Sequence, residues 1–186
     1  AEVHYNLGVT FQELGQLDTA VKSYENAIAI KPDYANACNN LGFILQELCQ
    51  LDAAVELYEK AIAIKPDFAD ACNNLGIALR KLGQLDAAVK SYEKALAIKP
   101  DYAEAHYNLG FTLQRLGQLD AAVKSYKKVV AIKPDYAEAH NNKILSVIYF
   151  FNNGKIPDAI DTLEALIKDN PNDALLFNMI DGCYAS

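Results

Sequence analysis

The chain has 186 residues and a net charge of −7, and 52% of its residues are hydrophobic while 22% are charged. This composition is typical of a folded, water-soluble protein and excludes a largely disordered chain. No apolar run approaches the roughly 18 residues that cross a bilayer. An acidic chain without a basic block also argues against nucleic acids and anionic membranes as partners.

Two amphipathic helix patterns alternate from the first residues onward. In residues 1–15, apolar or small side chains recur three or four positions apart, at Val3, Leu7, Gly8, Phe11 and Leu14. A second pattern of this kind fills residues 18–32, and Gly15 marks the turn between the two. We expect Asp18 to cap the second helix and Asp33 to cap the helix after it.

The helix pair recurs with a period of 34 residues, which is the spacing of Pro32, Pro66, Pro100 and Pro134. A fixed period in this range indicates a stack of helical repeats. Four regular units are predicted at residues 1–34, 35–68, 69–102 and 103–136. A degenerate fifth unit follows at 137–173, and the first helix of a truncated sixth at 174–186. Three extra residues lengthen the first half of the fifth unit, so we expect its first helix to be about one turn longer.

The unit resembles the tetratricopeptide repeat (TPR), a helix-turn-helix repeat. In the first unit the matching residues are Leu7, Gly8, Phe11, Ala20, Tyr24, Ala27 and Pro32. The resemblance implies an all-α fold, a right-handed superhelix of stacked antiparallel helix pairs with about 11 helices in this chain. We expect the glycine at position eight of each unit where two helices cross, and the tyrosine at position 24 in the space between neighbouring units.

An asparagine stands at the sixth position of the first five units, at Asn6, Asn40, Asn74, Asn108 and Asn142. Asparagine is a poor helix former, so its recurrence in predicted helices suggests a role outside the helix. The units are similar to the superhelix of O-linked N-acetylglucosamine transferases. That resemblance implies a concave groove in which these asparagines grip the main chain of an extended peptide. The alternative is that they form hydrogen bonds within the array, to their neighbours or between helices.

Residues beside the asparagines are predicted to select the peptide. One row consists of Tyr5, Asn39, Asn73 and Tyr107, an apolar row contains Phe43, Ile77 and Phe111, and basic residues at the rim are Arg80, Lys81 and Arg115. The first two units are net acidic and the next two net basic, which favours a partner with one basic and one acidic end. Alternatively, these charges are simply solvated.

Because units one to four have no Lys or Arg at positions two, five, six and nine, we expect no two-carboxylate clamp of the kind that holds the tails of heat-shock chaperones.

No residue pattern in the sequence predicts catalysis, a cofactor or a metal site. His4, His106 and His140 occupy the position of the family's tryptophan, where packing explains them. We expect Cys38, Cys49, Cys72 and Cys183 to be reduced, which fits a cytoplasmic location.

The sequence therefore predicts a non-catalytic scaffold that binds a protein or peptide partner. One alternative is the substrate-selecting TPR arm of a larger transferase, and another is self-association through the fifth and sixth units. The chain begins inside a repeat without an initiator methionine and ends within a unit, so we expect it to be a piece of a longer protein.

Overall fold

The computed structural model describes residues 1–133 and 156–169, together with the single residues 154 and 180. These residues contain nine helices and no strand, which confirms the all-α prediction. The helices are α1 (Glu2–Glu13), α2 (Leu17–Ile30), α3 (Ala35–Glu47), α4 (Leu51–Ile64), α5 (Ala69–Lys81), α6 (Leu85–Ile98), α7 (Ala103–Arg115), α8 (Leu119–Ile132) and α9 (Ile156–Asp169). Of the about 11 helices predicted, the first helices of the fifth and sixth units lie outside the described residues, as does Asn142.

The chain forms two compact regions, Ala1–Thr112 and Leu113–Ser186. In the first region α1 packs on α2, α3 on α4 and α5 on α6, and the pairs are joined where α2 packs on α3 and α4 on α5. One core cluster shows how successive pairs share their apolar surface, since it combines Ala20, Tyr24 and Ala27 of α2 with Ala37, Leu41 and Ile44 of α3. Burial of each pair therefore depends on its neighbour, as in other stacked repeats. In the second region, Tyr126 and Val129 of α8 and Ala159 and Leu163 of α9 are buried.

Each of the first three helix pairs closes around a contact between a glycine and a tyrosine. A Cβ atom on Gly8 would lie 2.6 Å from the Tyr24 ring, and one on Gly76 would lie 2.5 Å from the Tyr92 ring. Both rings are fully buried. The glycine is therefore required at the helix crossing, as predicted. The tyrosine packs against the glycine of its own unit, and Tyr24 also belongs to the core shared with the next helix pair.

The turns after the first helices use a left-handed residue, with φ of 70° at Gly15, 59° at Cys49 and 78° at Gly83. The predicted aspartate caps are wrong. Gln16 occupies the N-cap of α2 and Tyr34 that of α3, and neither forms a side-chain cap hydrogen bond. Asp18 is already inside the first turn of α2. An N-cap residue has non-helical backbone angles, so Asp18 can only complement the positive end of the helix by its charge.

Candidate functional site

We call one surface of the array the first-helix face. It consists of positions five, six, nine and twelve of the first helices in units one to three, together with positions five, six and nine of α7. Its residues are Tyr5, Asn6, Val9, Gln12, Asn39, Asn40, Phe43, Gln46, Asn73, Asn74, Ile77, Arg80, Tyr107, Asn108 and Phe111. Residues at these spacings lie on one side of a helix. The face contains every described residue of the predicted peptide site except Lys81 and Arg115, which are exposed in the last turns of α5 and α7.

Asparagines of this face link successive units by hydrogen bonds. The Asn74 Nδ2 donates to the Asn39 Oδ1 at 3.1 Å. The Asn108 Nδ2 donates to the Asn73 Oδ1 at 3.0 Å in the same way. Each bond joins position six of one unit to position five of the unit before it. These are contacts of the kind that the alternative interpretation predicted, because they hold the array together.

The bond between the first and second units follows the same pattern, but a tyrosine takes the place of the acceptor asparagine. The Asn40 Nδ2 lies 3.3 Å from the hydroxyls of both Tyr5 and Tyr24. The Tyr24 hydroxyl donates in turn to the Gln12 Oε1 at 2.9 Å. Burial raises the pKa of Tyr24, and its hydrogen bond with Asn40 partly offsets this effect. Because the Asn39 Nδ2 also donates to the Asn40 Oδ1 at 3.2 Å, one chain of hydrogen bonds runs from Gln12 through Asn40 and Asn39 to Asn74.

The third unit departs from this pattern at Asn73. The Asn73 Nδ2 lies 3.4 Å from the Glu104 Oε1, whereas the equivalent Asn39 donates to the asparagine beside it. The Asn74 Oδ1 consequently accepts no hydrogen bond from any residue that the structure describes. Asn74 is half-buried and Asn6 is exposed, while Asn73 is fully buried and Asn108 is 8% exposed. The asparagines of the face are thus equivalent in sequence but not in their surroundings.

Position twelve pairs with the buried tyrosine of the same unit. Like Gln12 with Tyr24, the Gln114 Oε1 accepts a hydrogen bond from the Tyr126 hydroxyl, at 3.2 Å. In the second unit the Gln46 Oε1 and the Tyr58 hydroxyl are both buried without a partner among the described residues. The sequence analysis missed this pairing, although a glutamine at position twelve and a tyrosine at position 24 recur together in three of the four regular units.

The third unit has an arginine at position twelve. The Arg80 guanidinium carbon lies 4.8 Å from the centre of the Phe111 ring in the next unit, and this distance fits a cation–π contact. The Arg80 Nε and the Tyr92 hydroxyl are buried, and neither has a hydrogen-bond partner in the described part of the chain. Burial raises the pKa of Tyr92, and the nearby Arg80 and Thr112 partly offset the rise. The sequence predicted Arg80 as a rim residue but not its contact with Phe111.

The described cysteines are free thiols, of which Cys38 and Cys72 are buried and Cys49 is exposed. Burial raises the pKa of Cys38 and of Cys72, which makes both thiols less reactive. Over the ranges that the structure describes, no three His, Cys, Asp or Glu side chains gather as metal ligands. None of the helices in those ranges has the length and apolar character needed to cross a membrane.

Comparison with protein families agrees with this architecture. A TPR repeat model matches residues 11–48, 50–83 and 76–117, and two tetratricopeptide repeat models match residues 103–136 and 145–173. The matches cover most of the chain, which belongs to the tetratricopeptide repeat family. No curated protein matches the sequence significantly.

Many solved structures have the same fold. The MamA protein is 22% identical with a TM-score of 0.75, and the match covers 93% of each chain. YrrB, described as a TPR protein with an unusual peptide-binding site, is 23% identical with a TM-score of 0.71, over 94% of this chain and 89% of YrrB. An O-GlcNAc transferase variant from Thermobaculum terrenum is 24% identical with a TM-score of 0.66, over 70% of this chain and 25% of the transferase.

Proposed function

We propose that this chain is a non-catalytic interaction scaffold that binds an extended peptide along the first-helix face. The observation that carries the proposal is the amide of Asn74. Asn39 accepts from its Nδ2, so the amide is oriented, while its Oδ1 is left without a donor among the described residues on a half-buried surface. An oriented acceptor of this kind suits a peptide main-chain N–H, because little side-chain freedom is lost when the peptide binds.

The proposal gives the asparagines two roles. Asn40 and Asn108 mainly tie units together, since Asn108 is almost fully buried and both amide atoms of Asn40 are used within the array. Asn6 and Asn74 bind the peptide, because their amides retain capacity for further hydrogen bonds on exposed or half-buried surface. The sequence could not distinguish these roles, as all four residues occupy the same position of their units.

The side chains next to the asparagines provide the rest of the proposed site. Phe43 and Ile77 are half-buried one helical turn beyond Asn39 and Asn73, where they can pack against apolar side chains of a peptide. Tyr5 offers a half-buried ring near the start of the face. The membership of the TPR family and the peptide-binding site named for YrrB support binding of a peptide, whose identity neither of them provides. The transferase-arm and self-association alternatives stay predictions.

The test is a binding experiment with Asn74→Ala and a matched control, Asn39→Ala. Both substitutions break the same hydrogen bond between units, but only the first removes the amide that faces the peptide. Peptides are selected from a random phage-displayed library against the unmodified chain, and their affinities for all three proteins are measured by fluorescence anisotropy. We expect Asn74→Ala to weaken binding about tenfold and Asn39→Ala to weaken it less than about threefold.

Two results would contradict the proposal. The first is a library from which no peptide is selected although the protein is folded by circular dichroism. The second is equal loss of affinity in Asn74→Ala and Asn39→Ala, since binding would then depend on the stability of the array and not on the Asn74 amide. Thermal unfolding of each variant, measured alongside, shows whether the two substitutions disturb the array to the same extent.

A further inference from the structure

Arg80 is the only charged residue at position twelve in the four regular units, where Gln12, Gln46 and Gln114 occupy the other positions. A glutamine can accept a hydrogen bond from the tyrosine hydroxyl of its unit, as Gln12 does from Tyr24. A guanidinium has donors only, so Arg80 cannot replace that acceptor for Tyr92. The arginine therefore cannot pair with the tyrosine of its unit in the way that Gln12 pairs with Tyr24, so this pairing does not explain its presence.

The guanidinium is held in place without being neutralised. Its Cζ lies 4.8 Å from the centre of the Phe111 ring, and its Nε is buried. Since Nε is covered, the terminal Nη groups are the part of the guanidinium that can meet a ligand. Among the residues that the structure describes, no carboxylate forms an ion pair with Arg80. A positioned arginine with unused donors is the usual means by which proteins recognise carboxylates.

We propose that Arg80, supported by Phe111, binds the side-chain carboxylate of an Asp or Glu in the peptide that occupies the first-helix face. This inference rests on the proposed function and adds a sequence preference to it, because the asparagine contacts involve only the peptide main chain. The charge distribution agrees with this assignment. The first two units are net acidic, whereas the third, which contains Arg80 and Lys81, is net basic, so an acidic peptide side chain is favoured at the third unit over the first two.

Glu104 places a negative charge near this position, because its charge acts on the neighbouring Tyr92. Its Oε1 accepts from the Asn73 Nδ2 at 3.4 Å, and its charge raises the pKa of Tyr92. Glu104 is exposed, so water and salt screen its repulsion of a ligand carboxylate. We therefore expect Glu104→Gln to strengthen the binding of acidic peptides about twofold and to leave neutral peptides unaffected.

The test uses capped peptides of 12 residues, acetylated and amidated so that a side chain is their only acid. Each carries one Glu, placed at a different position in each peptide, and has a twin with Gln at that place. Their affinities are measured for the unmodified chain, for Arg80→Gln, which introduces the residue of the other units, and for Lys81→Gln. Lys81 is the comparison residue, because the sequence predicts it as a rim residue like Arg80, but it is exposed and makes no contact with Phe111 among those described.

We expect the unmodified chain to prefer one Glu peptide over its Gln twin about tenfold. Arg80→Gln should reduce this preference below about twofold while keeping the affinity for the Gln twin, and Lys81→Gln should retain the preference. If peptides bind but every pair binds equally, or if Lys81→Gln abolishes the preference as completely as Arg80→Gln, the inference is overturned while the proposed function stands.

A second measurement separates the two proposals when no long peptide binds. The Arg80 Nε–Hε signal is followed by NMR while acetyl-Ala-Glu-Ala-amide or acetyl-Ala-Gln-Ala-amide is added at millimolar concentration. A saturable shift with the Glu tripeptide alone supports the carboxylate site even though the proposed peptide function has failed. The absence of such a shift overturns the inference as well.

Discussion

The contact inside a helix pair and the contact between pairs on the first-helix face are built differently. Inside the pair, a glycine lies against a buried tyrosine ring in three successive units, with Cβ-to-ring distances of 2.6 Å, 2.9 Å and 2.5 Å. On the face, the acceptor for the asparagine at position six is a phenol in one case and an amide in the next two. Close packing permits one solution at the crossing. A hydrogen bond can be satisfied by any oxygen that reaches the donor.

This difference separates the residues that set the architecture from those that can vary between units. Replacement of the glycine would force the two helices apart, so its position is closed to variation. Position twelve, by contrast, has a bonded glutamine, an unbonded glutamine and an arginine in three consecutive units of the same architecture. The face is therefore where individual units acquire their own chemistry.

The largest loss of stability is expected from Gly76→Val, which disrupts the contact inside a helix pair. Its side chain would enter the space of the Tyr92 ring, so we expect the free energy of unfolding to fall by about 3 kcal/mol in urea denaturation. Ala97→Val serves as control, because Ala97 is exposed on α6 and its added methyl groups would meet water. Equal stability of the two variants would mean that the helix crossing is not close-packed.

A smaller loss is expected when a bond between units is removed. Asn73→Ala takes the acceptor from the Asn108 Nδ2 in a buried setting, which should lower the free energy of unfolding by about 2 kcal/mol. Asn26→Ala, at an exposed position of α2, should change it by less than about 0.5 kcal/mol. A double-mutant cycle with Asn108→Ala isolates the pair, and a coupling energy near zero would contradict the assigned bond.

Two fully buried tyrosines at position 24 differ in their hydroxyl contacts and can be compared directly. Tyr24→Phe removes a hydroxyl that binds Gln12 and Asn40, so the free energy of unfolding should fall by about 1 kcal/mol. Tyr58→Phe removes a buried hydroxyl without a partner among the described residues, and stability should stay constant or rise slightly. Thermal unfolding of both variants checks this order. The reverse order would show that Tyr58 has the more important hydroxyl.

The smallest effect concerns a turn, where Cys49 has a φ of 59° while Gly83 fills the equivalent position. Cys49→Gly should raise the free energy of unfolding by up to about 1 kcal/mol, because glycine adopts this conformation without steric cost. Gly83→Ala is the converse experiment and should lower it by about 1 kcal/mol. Both variants are measured by urea denaturation. A destabilised Cys49→Gly protein would indicate that a contact of the thiol stabilises the protein by more than the strained backbone at Cys49 destabilises it.

The repeat and its helices could be predicted from the sequence because they depend on periodicity. The spacing of Leu7, Gly8 and Phe11 fixes an apolar helix face, and the need for glycine at the crossing follows from its recurrence. The caps could not be predicted in this way. Asp18 has the right residue type for an N-cap, but α2 begins at Leu17, and a shift of one or two residues changes the role completely.

The candidate site was only partly accessible from the sequence. Asn74 and Arg80 could be chosen because their positions recur, but their contacts depend on how one helix pair sits on the next. The bond from Asn74 to Asn39 spans 35 residues, and the contact of Arg80 with Phe111 spans 31. Residue type alone could not show that Asn73 would turn to Glu104 and leave the Asn74 oxygen without a donor in the described part of the chain.

The bonds between units also bear on how such an array can grow by gene duplication. Each described junction needs an amide donor at position six and an oxygen at position five of the preceding unit, and the phenol of Tyr5 serves as well as the amide of Asn39. The second and third units carry asparagine at both positions. An additional copy of either unit, inserted in frame, would donate from its position six to the unit before it and accept at its position five from the unit after it. The array can therefore lengthen by whole blocks of 34 residues while keeping the bond between positions six and five at the new joint.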